Sequence, residues 1–255
     1  MRSAMQELGE ELAAAWIEGK TLSSIPERLA PQSADEAYRA QTALVERLVP
    51  YFGPIVGWKV GAAGPEVEPN AAPLLADLVQ PAPARFGANR FRLRGLEAEL
   101  AFRFGRSLPP RGAPYGEAEV AAAIRSLHAA LEVVECRTQD RDATPALVRL
   151  ADSQNNGAFC FGPTIAADWR SVDYLRQPVV LLVDGVLAAE AQGGNAAGHP
   201  MRLLVWLANH AARLGRGIAA GDIVTTGSHI RPVFDNRARR VEAKFAGLGF
   251  ASLDF

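Results

Sequence analysis

Between Gly95 and Phe104 the chain reads Gly-Leu-Glu-Ala-Glu-Leu-Ala-Phe-Arg-Phe, and its strict alternation suits an extended backbone. Leu96, Ala98, Leu100, Phe102 and Phe104 fall on one side of a strand, and Glu97, Glu99 and Arg103 on the other. A helix would scatter both sets around its surface. The segment therefore belongs in a sheet with one apolar face and one face carrying two carboxylates, about 7 Å apart at the backbone.

Other short β-prone runs lie at 54–60, 90–94, 129–136, 157–163, 178–183, 186–191, 222–226, 229–234, 239–245 and 250–255. Helical patterns interrupt them at 116–128 and 200–214, where Pro200 suits a first turn and Gly215 an end. Strands outnumber helices without regular alternation, so the expected class is a mixed, strand-rich α+β fold rather than a doubly wound sheet. The start of the chain differs. Met5, Leu8, Leu12 and Trp16 recur at helical spacing over 3–18, and Ser33 with Glu36 forms a capping-box signature before a second helix running to about Val49. The expected organisation is a helical segment over residues 1–50 packed on one structural unit over residues 51–255.

With 255 residues, 49% of them hydrophobic, the chain can build a core large enough to hold a buried polar site. A formal charge of −1 gives no electrostatic reason to expect nucleic acid or an anionic membrane as partner. No apolar run reaches bilayer length, and Met1 to Trp16 lacks the apolar region of a signal peptide, so the expected compartment is the cytoplasm. Cys136 and Cys160, both in apolar runs, read as buried reduced thiols.

Glu97 and Glu99 present the oxygen ligands that hard cations such as Mg²⁺ or Mn²⁺ prefer, although Glu-x-Glu is also common on solvated strand faces. A second acidic strand raises the interest of the first. In Leu131-Glu132-Val133-Val134-Glu135-Cys136, Glu132 shares a face with Val134 and Cys136, and Glu135 shares the face of Leu131 and Val133. A carboxylate on a buried strand face needs a cation or an arginine, here Arg103 or Arg137. Lys59, within Ile55-Val56-Gly57-Trp58-Lys59-Val60-Gly61, either meets such a carboxylate or is an exposed strand lysine. Gly221-Asp222-Ile223-Val224-Thr225-Thr226-Gly227-Ser228 runs a strand into a small-residue turn, which either holds an anion on backbone N–H groups or is simply a turn. Arg90, Arg92 and Arg94 read as the solvated face of an edge strand.

The ordered set Gly57-x-Lys59-x-Gly61, Glu97-x-Glu99, Leu131-Glu132-Val133, Ala151-Asp152, Gly198-His199-Pro200 and Gly221-Asp222-x-x-x-Thr226-Gly227-Ser228 resembles the 2-oxopent-4-enoate (2-hydroxypentadienoate) hydratases. These, with the related 4-oxalocrotonate decarboxylases, belong to the fumarylacetoacetate hydrolase superfamily. The resemblance runs from about Leu12 to the C-terminus. It implies a mixed β-roll core, a Mg²⁺ or Mn²⁺ site and a symmetric homo-oligomer. It also implies a cytoplasmic hydro-lyase of aromatic-compound catabolism that adds water to a small 2-hydroxydienoic or unsaturated 2-oxo acid, giving a 4-hydroxy-2-oxo acid. The alternative activity is decarboxylation of an unsaturated 2-oxo diacid.

By position, the resemblance makes Glu97, Glu99 and Glu132 the metal carboxylates and Lys59 the active-site lysine, with Asp77 at an acidic position linked to proton transfer. Gly227 and Ser228 match the segment that holds a substrate carboxylate, and Asp152 matches the aspartate of an Ala-Asp-Asn stretch grouped with substrate binding. The pattern is broken at Ala62-Ala63-Gly64, at Ala72-Pro73-Leu74-Leu75 and at Ser153-Gln154-Asn155, which puts the exact substrate in doubt more than the metal chemistry. Carbon–carbon hydrolases of the superfamily place a water-activating histidine ahead of Glu-x-Glu. Here His128, His199, His210 and His229 all follow it, which disfavours hydrolysis. A non-catalytic homologue that binds a small acid is the remaining expectation.

Overall fold

The computed structural model describes residues 2–255. Two helices, α1 (Ala4–Glu18) and α2 (Ala34–Phe52), precede β1 (Ile55–Gly61), β2 (Asn70–Leu75), β3 (Val79–Pro81), β4 (Ala84–Arg85) and β5 (Gly95–Phe104). Then come α3 (Glu117–Ala123), β6 (Ile124–Val134), α4 (Ala146–Ala151), β7 (Asn156–Phe161), β8 (Pro178–Val183), β9 (Val186–Gln192) and α5 (Pro200–Arg213). The chain closes with β10 (Ile223–Ser228), β11 (Val233–Phe234), β12 (Arg240–Phe245) and β13 (Gly249–Asp254).

The strands form two mixed sheets. One runs β2-β1-β10-β5-β6-β7-β3, with β11 also pairing with β5, and the other runs β4-β13-β12-β8-β9. The apolar side of β5 faces the main core: Leu96, Ala98, Leu100, Phe102 and Phe104 are all fully buried. They share that core with Leu181 of β8, Val241 and Phe245 of β12, and Leu253 of β13. Burying one such large side chain stabilises the fold by about 1.5–3 kcal/mol. The alternation read from the sequence thus decides which side of β5 meets the second sheet, and the opposite side is left for the carboxylates.

The N-terminal helices begin where their caps predict. Ser3 Oγ accepts from Gln6 N at 3.2 Å and Ser33 Oγ accepts from Glu36 N at 3.2 Å. Their apolar faces join Leu75, Leu78, Leu150 and Ala151 in a second cluster, which docks them beside β2 and α4. No helix among the described residues is long and apolar enough to cross a membrane.

Several expected elements are corrected. The helical pattern over 116–128 ends at Ala123, and Ile124 onward is the first half of β6. This half pairs with β5 from Ile124 to Ala129, and that tertiary pairing outweighs the local helical pattern. The run 90–94 is not a strand. It is the end of a 3₁₀ turn followed by a bend, in which Arg94 takes a φ of 44° and its guanidinium is buried against the Ala238 and Ala88 carbonyls. β6 stops at Val134, so Glu135 lies beyond the strand. Its carboxylate accepts from the backbone N–H groups of Arg92 at 2.5 Å and Leu93 at 2.9 Å. Of 229–234, only Val233 and Phe234 are extended. Pro73 obscures β2 in the sequence, yet β2 is an edge strand, where a missing N–H is tolerated.

Candidate active site

The register of the central strands gathers the acidic side chains. Glu97 of β5 stands directly opposite Glu132 of β6, and Ser228 of β10 opposite Glu99. Residues opposed in this way share a face. One carboxylate oxygen from each of Glu97, Glu99 and Glu132 lies within 4.8 Å of the other two. Glu132 and Glu99 are buried at 0% and 1% exposure, and Glu97 is partly buried.

Lys59, on β1, reaches over the same face, and its Nζ donates to Glu132 Oε1 at 2.5 Å and to the Gln154 carbonyl at 3.2 Å. Glu132 Oε1 also accepts from Asn156 Nδ2 at 2.9 Å, and Glu99 Oε2 accepts from the Thr225 hydroxyl. Glu132 is therefore paired with Lys59, not with Arg103 or Arg137 as the sequence left open. Arg103 lies over the Phe161 ring, 4.8 Å from its centroid. Burial, followed by the charge of Glu132, pushes the Glu97 carboxyl up to about 7. Burial and the charges of Glu132 and Glu97 likewise hold Glu99 well above the usual carboxylate range. Burial pulls the Lys59 ammonium down, but Glu132, Glu97 and Glu99 outweigh it and hold its pKa above the ordinary value.

These residues fit a hard divalent cation. One ammonium faces three buried or partly buried carboxylates, and Glu132 Oε2 is buried without a hydrogen-bond partner. Oxygen atoms from adjacent strands at this spacing are what such a cation binds, and its charge would offset the repulsion among them.

A cavity of about 300 Å³ opens beside the cluster. Lys59, Glu97, Glu99, Gly227 and Ser228 line it. Asn70, Arg141, Arg149, Gln154 and Asn155 also line it, and the sequence reading assigned none of them a role. Gly227 has a φ of 90°, a left-handed conformation that suits glycine and lets the strand turn away at the cavity wall. Ser153, Gln154 and Asn155 are three successive left-handed residues, with φ of 48°, 52° and 59°. Such backbone costs on the order of 1–3 kcal/mol per residue and persists only where its surroundings hold it.

Asp152 supplies that hold and does not line the cavity. Its buried carboxylate accepts from Arg137 Nε at 2.5 Å and Arg137 N at 3.0 Å, while Arg137 also donates to the carbonyls of Asp152 and Asn156. The structure thus gives Asp152 an anchoring place behind the 153–155 turn instead of a substrate contact. Asp77 is exposed in the turn after β2 and is not brought to the cavity. None of the four histidines lines the cavity. His199 accepts from Met201 N at 3.3 Å at the start of α5, in keeping with a helix-entrance role. Both cysteines are buried and unpaired. Arg141 and Arg149 escaped notice because they lie in the loop after β6 and on the short α4, where no period marks a face. Their only sequence signal is the polar run after Cys136.

Known proteins are similar to this chain over most of its length. A 2-keto-4-pentenoate hydratase of Dechloromonas aromatica is 26% identical over 96% of this chain and 94% of its own length. A 2-hydroxypent-2,4-dienoate hydratase of Pseudomonas putida is 25% identical over 84% of this chain and 98% of its own. In fold, the chain is similar to 4-oxalocrotonate decarboxylase from Pseudomonas putida G7, solved with magnesium and adipate. The TM-score is 0.85 at 23% identity, covering 100% of this chain and 98% of that one. The Fumarylacetoacetate (FAA) hydrolase C-terminal model matches residues 78–252, the stretch that carries β5, β6 and β10 with their carboxylates and turn, and on that match the chain belongs to this family.

Proposed function

We propose that the protein is a divalent-metal-dependent hydratase, a carbon–oxygen lyase that adds water to 2-hydroxypenta-2,4-dienoate-type acids to give 4-hydroxy-2-oxo acids. The observation that carries this reading is the cluster of Glu97, Glu99 and Glu132, paired to Lys59 and opening on a small cavity beside Ser228. The hydratase names of full-length relatives support it, as does the magnesium in the structure of the fold neighbour. The family resemblance extends the reading to a homo-oligomer working in the cytoplasm.

Glu97, Glu99 and Glu132 would hold the Mg²⁺ or Mn²⁺, which when bound supplies Lewis-acid polarisation of the substrate's 2-oxygen. Lys59 Nζ donates to the Glu132 carboxylate and fixes it beside the cavity. Thr225 fixes Glu99 in the same manner. The Gly227–Ser228 turn, beside Glu99, receives the substrate's C1 carboxylate.

In the reaction the 2-hydroxyl gives up its proton and C5 gains one, forming the conjugated 2-oxo-3-enoate. The oxygen of water then bonds to C4 and a proton is added at C3, so one water is consumed. The residues named here position these atoms and stabilise charge on the 2-oxygen. Asp77, outside the cavity, is given no part. Decarboxylation of an unsaturated 2-oxo diacid is a second reading, favoured by one observation: two arginines on the cavity wall that suit a second carboxylate.

The test is the ultraviolet absorbance of freshly made 2-hydroxypenta-2,4-dienoate with protein plus Mg²⁺, Mn²⁺ or chelator. Metal-dependent loss of the dienol band, with 4-hydroxy-2-oxopentanoate as product, is the expected result. A stable band with either metal overturns hydration of this acid. Release of CO₂ from an unsaturated 2-oxo diacid would then establish the second reading.

A further inference from the structure

We infer that the 2-hydroxydienoic acid this protein takes carries an uncharged aromatic group on C5, seated in a second cavity that adjoins the first. The inference rests on the hydratase reading above and extends it to the far end of the substrate. The second cavity, of about 730 Å³, lies among α2, α4, α5 and the loop between β1 and β2. Asn70 and Leu150 line it and also line the cavity beside Glu97 and Glu99, so the two spaces share a wall.

Helix α2 secures that wall. The buried Gln41 donates through Nε2 to the carbonyls of Ala71 at 3.2 Å and Leu150 at 2.8 Å, and the Tyr38 hydroxyl accepts from Ala71 N at 3.1 Å. The lining is apolar and aromatic, with Tyr38, Leu147, Leu150, Trp206 and His210. Its three rings pack together: the His210 centroid lies 4.4 Å from that of Tyr38 and 4.5 Å from that of Trp206, the latter pair nearly parallel at 11°. Trp206 Nε1 donates to Glu68 Oε1 at 2.5 Å, which fixes the indole. Rings held in this way receive a further ring by offset or edge contact. Charges of both signs also line the space, Asp35 and Glu68 against Arg39 and Arg213, so they select no net charge in the occupant.

The shared wall names that occupant. A five-carbon acid held at the carboxylate cluster and Ser228 gives the second space no part, whereas a ring on C5 passes Asn70 and Leu150 into it. The loop that carries Glu68 also holds Ala62-Ala63-Gly64, where the chain departs from the hydratase pattern. Arg202 of α5 pins this loop by donating to the carbonyls of Gly64 at 2.9 Å and Val67 at 3.1 Å. The departure therefore falls beside the space that takes the ring, while the carboxylate cluster is kept.

The test compares 2-oxo-5-phenylpentanoate with 2-oxopentanoate by calorimetry on the Mg²⁺-loaded protein. The two acids share the 2-oxo acid end, have no diene to hydrate, and differ only in the ring. The wild type should bind the phenyl acid at least about tenfold more tightly, as burial of one such ring implies. Thr42 lines only the second cavity, so Thr42→Trp fills that space. In this variant the preference should fall to about twofold or less, while affinity for 2-oxopentanoate stays within about twofold of wild type. Trp206→Ala should reduce the preference by about threefold. Equal affinities in the wild type, a preference that survives both substitutions, or equal weakening of both acids by Thr42→Trp would overturn the inference and leave the hydratase reading intact. If neither acid binds the wild type, the functional reading fails and this inference fails with it.

Discussion

Replacing Lys59 with Met keeps the reach of the side chain and removes its charge. In the native protein the Lys59 ammonium stands 2.5 Å from Glu132, with the two side chains 13% and 0% exposed. Removing one partner of a buried pair costs about 3–5 kcal/mol, because the other charge is stranded. Asn156 still donates to Glu132 Oε1 at 2.9 Å. That remaining bond puts the expected loss in metal-free protein near the lower end, about 3 kcal/mol. For a chain of this length a loss of that size lowers the Tm by roughly 6–12 °C. A divalent cation brings positive charge to the same carboxylates, so saturating Mg²⁺ should raise the Tm of Lys59→Met by more than it raises that of the wild type. Thermal melts at fixed protein concentration, in chelator and in Mg²⁺, measure both quantities. A metal-free Tm within about 2 °C of wild type, or a Mg²⁺ increment no larger than in wild type, would refute the claim that Lys59 neutralises the cluster.

Two further outcomes follow from the packing and the titration of buried groups. A Cβ on Gly57 would fall 2.1 Å from the Ile223 carbonyl oxygen, where both β1 and β10 are held in the sheet; Gly57→Ala should therefore cost about 1–3 kcal/mol, and an unchanged urea midpoint would contradict this. His210 is buried between Tyr38 and Trp206, and burial, followed by the charge of Arg213, lowers its pKa from 6.5 to about 4. The unfolded chain therefore takes up a proton there before the folded protein does. The stability that His210 contributes is complete above about pH 6.5 and is lost as the pH falls toward 4, in total about 3 kcal/mol. His210→Phe should flatten the fall of the urea midpoint between about pH 6.5 and pH 5, and parallel curves for variant and wild type would contradict the assignment.

The carboxylate strand was readable because a period of two is a property of the chain itself. Leu96 to Phe104 alternate in sequence, and in the structure they alternate between the main core and the opposite face, where Glu97 and Glu99 line the cavity. The strand content and the helical start were legible for similar reasons of period and capping. Register was not legible. Nothing local says that Glu97 stands opposite Glu132, or that Lys59 reaches Glu132 across β10 and β5, because those neighbours are set by tertiary pairing. The resemblance brought Lys59 and the three glutamates forward as a group, and the sheet brings them together. Local signals misled where side chains answer to distant partners. Arg90, Arg92 and Arg94 alternate like a strand, but Glu135 gathers the backbone N–H groups of Arg92 and Leu93 into a bend. Asp152 matched a family position without showing its task, which depends on the buried guanidinium of Arg137. The cavity wall at Arg141 and Arg149 belongs to a loop and a short helix, whose placement no pattern within them predicts.

The most direct test of the central claim, that Glu97, Glu99 and Glu132 together hold one divalent cation, is a calorimetric titration of chelator-stripped protein with Mn²⁺. The wild type should take up a single ion per chain, and Glu99→Gln and Glu132→Gln should each abolish that uptake while retaining a cooperative thermal transition. No uptake by the wild type, or undiminished uptake by both variants, would contradict the account.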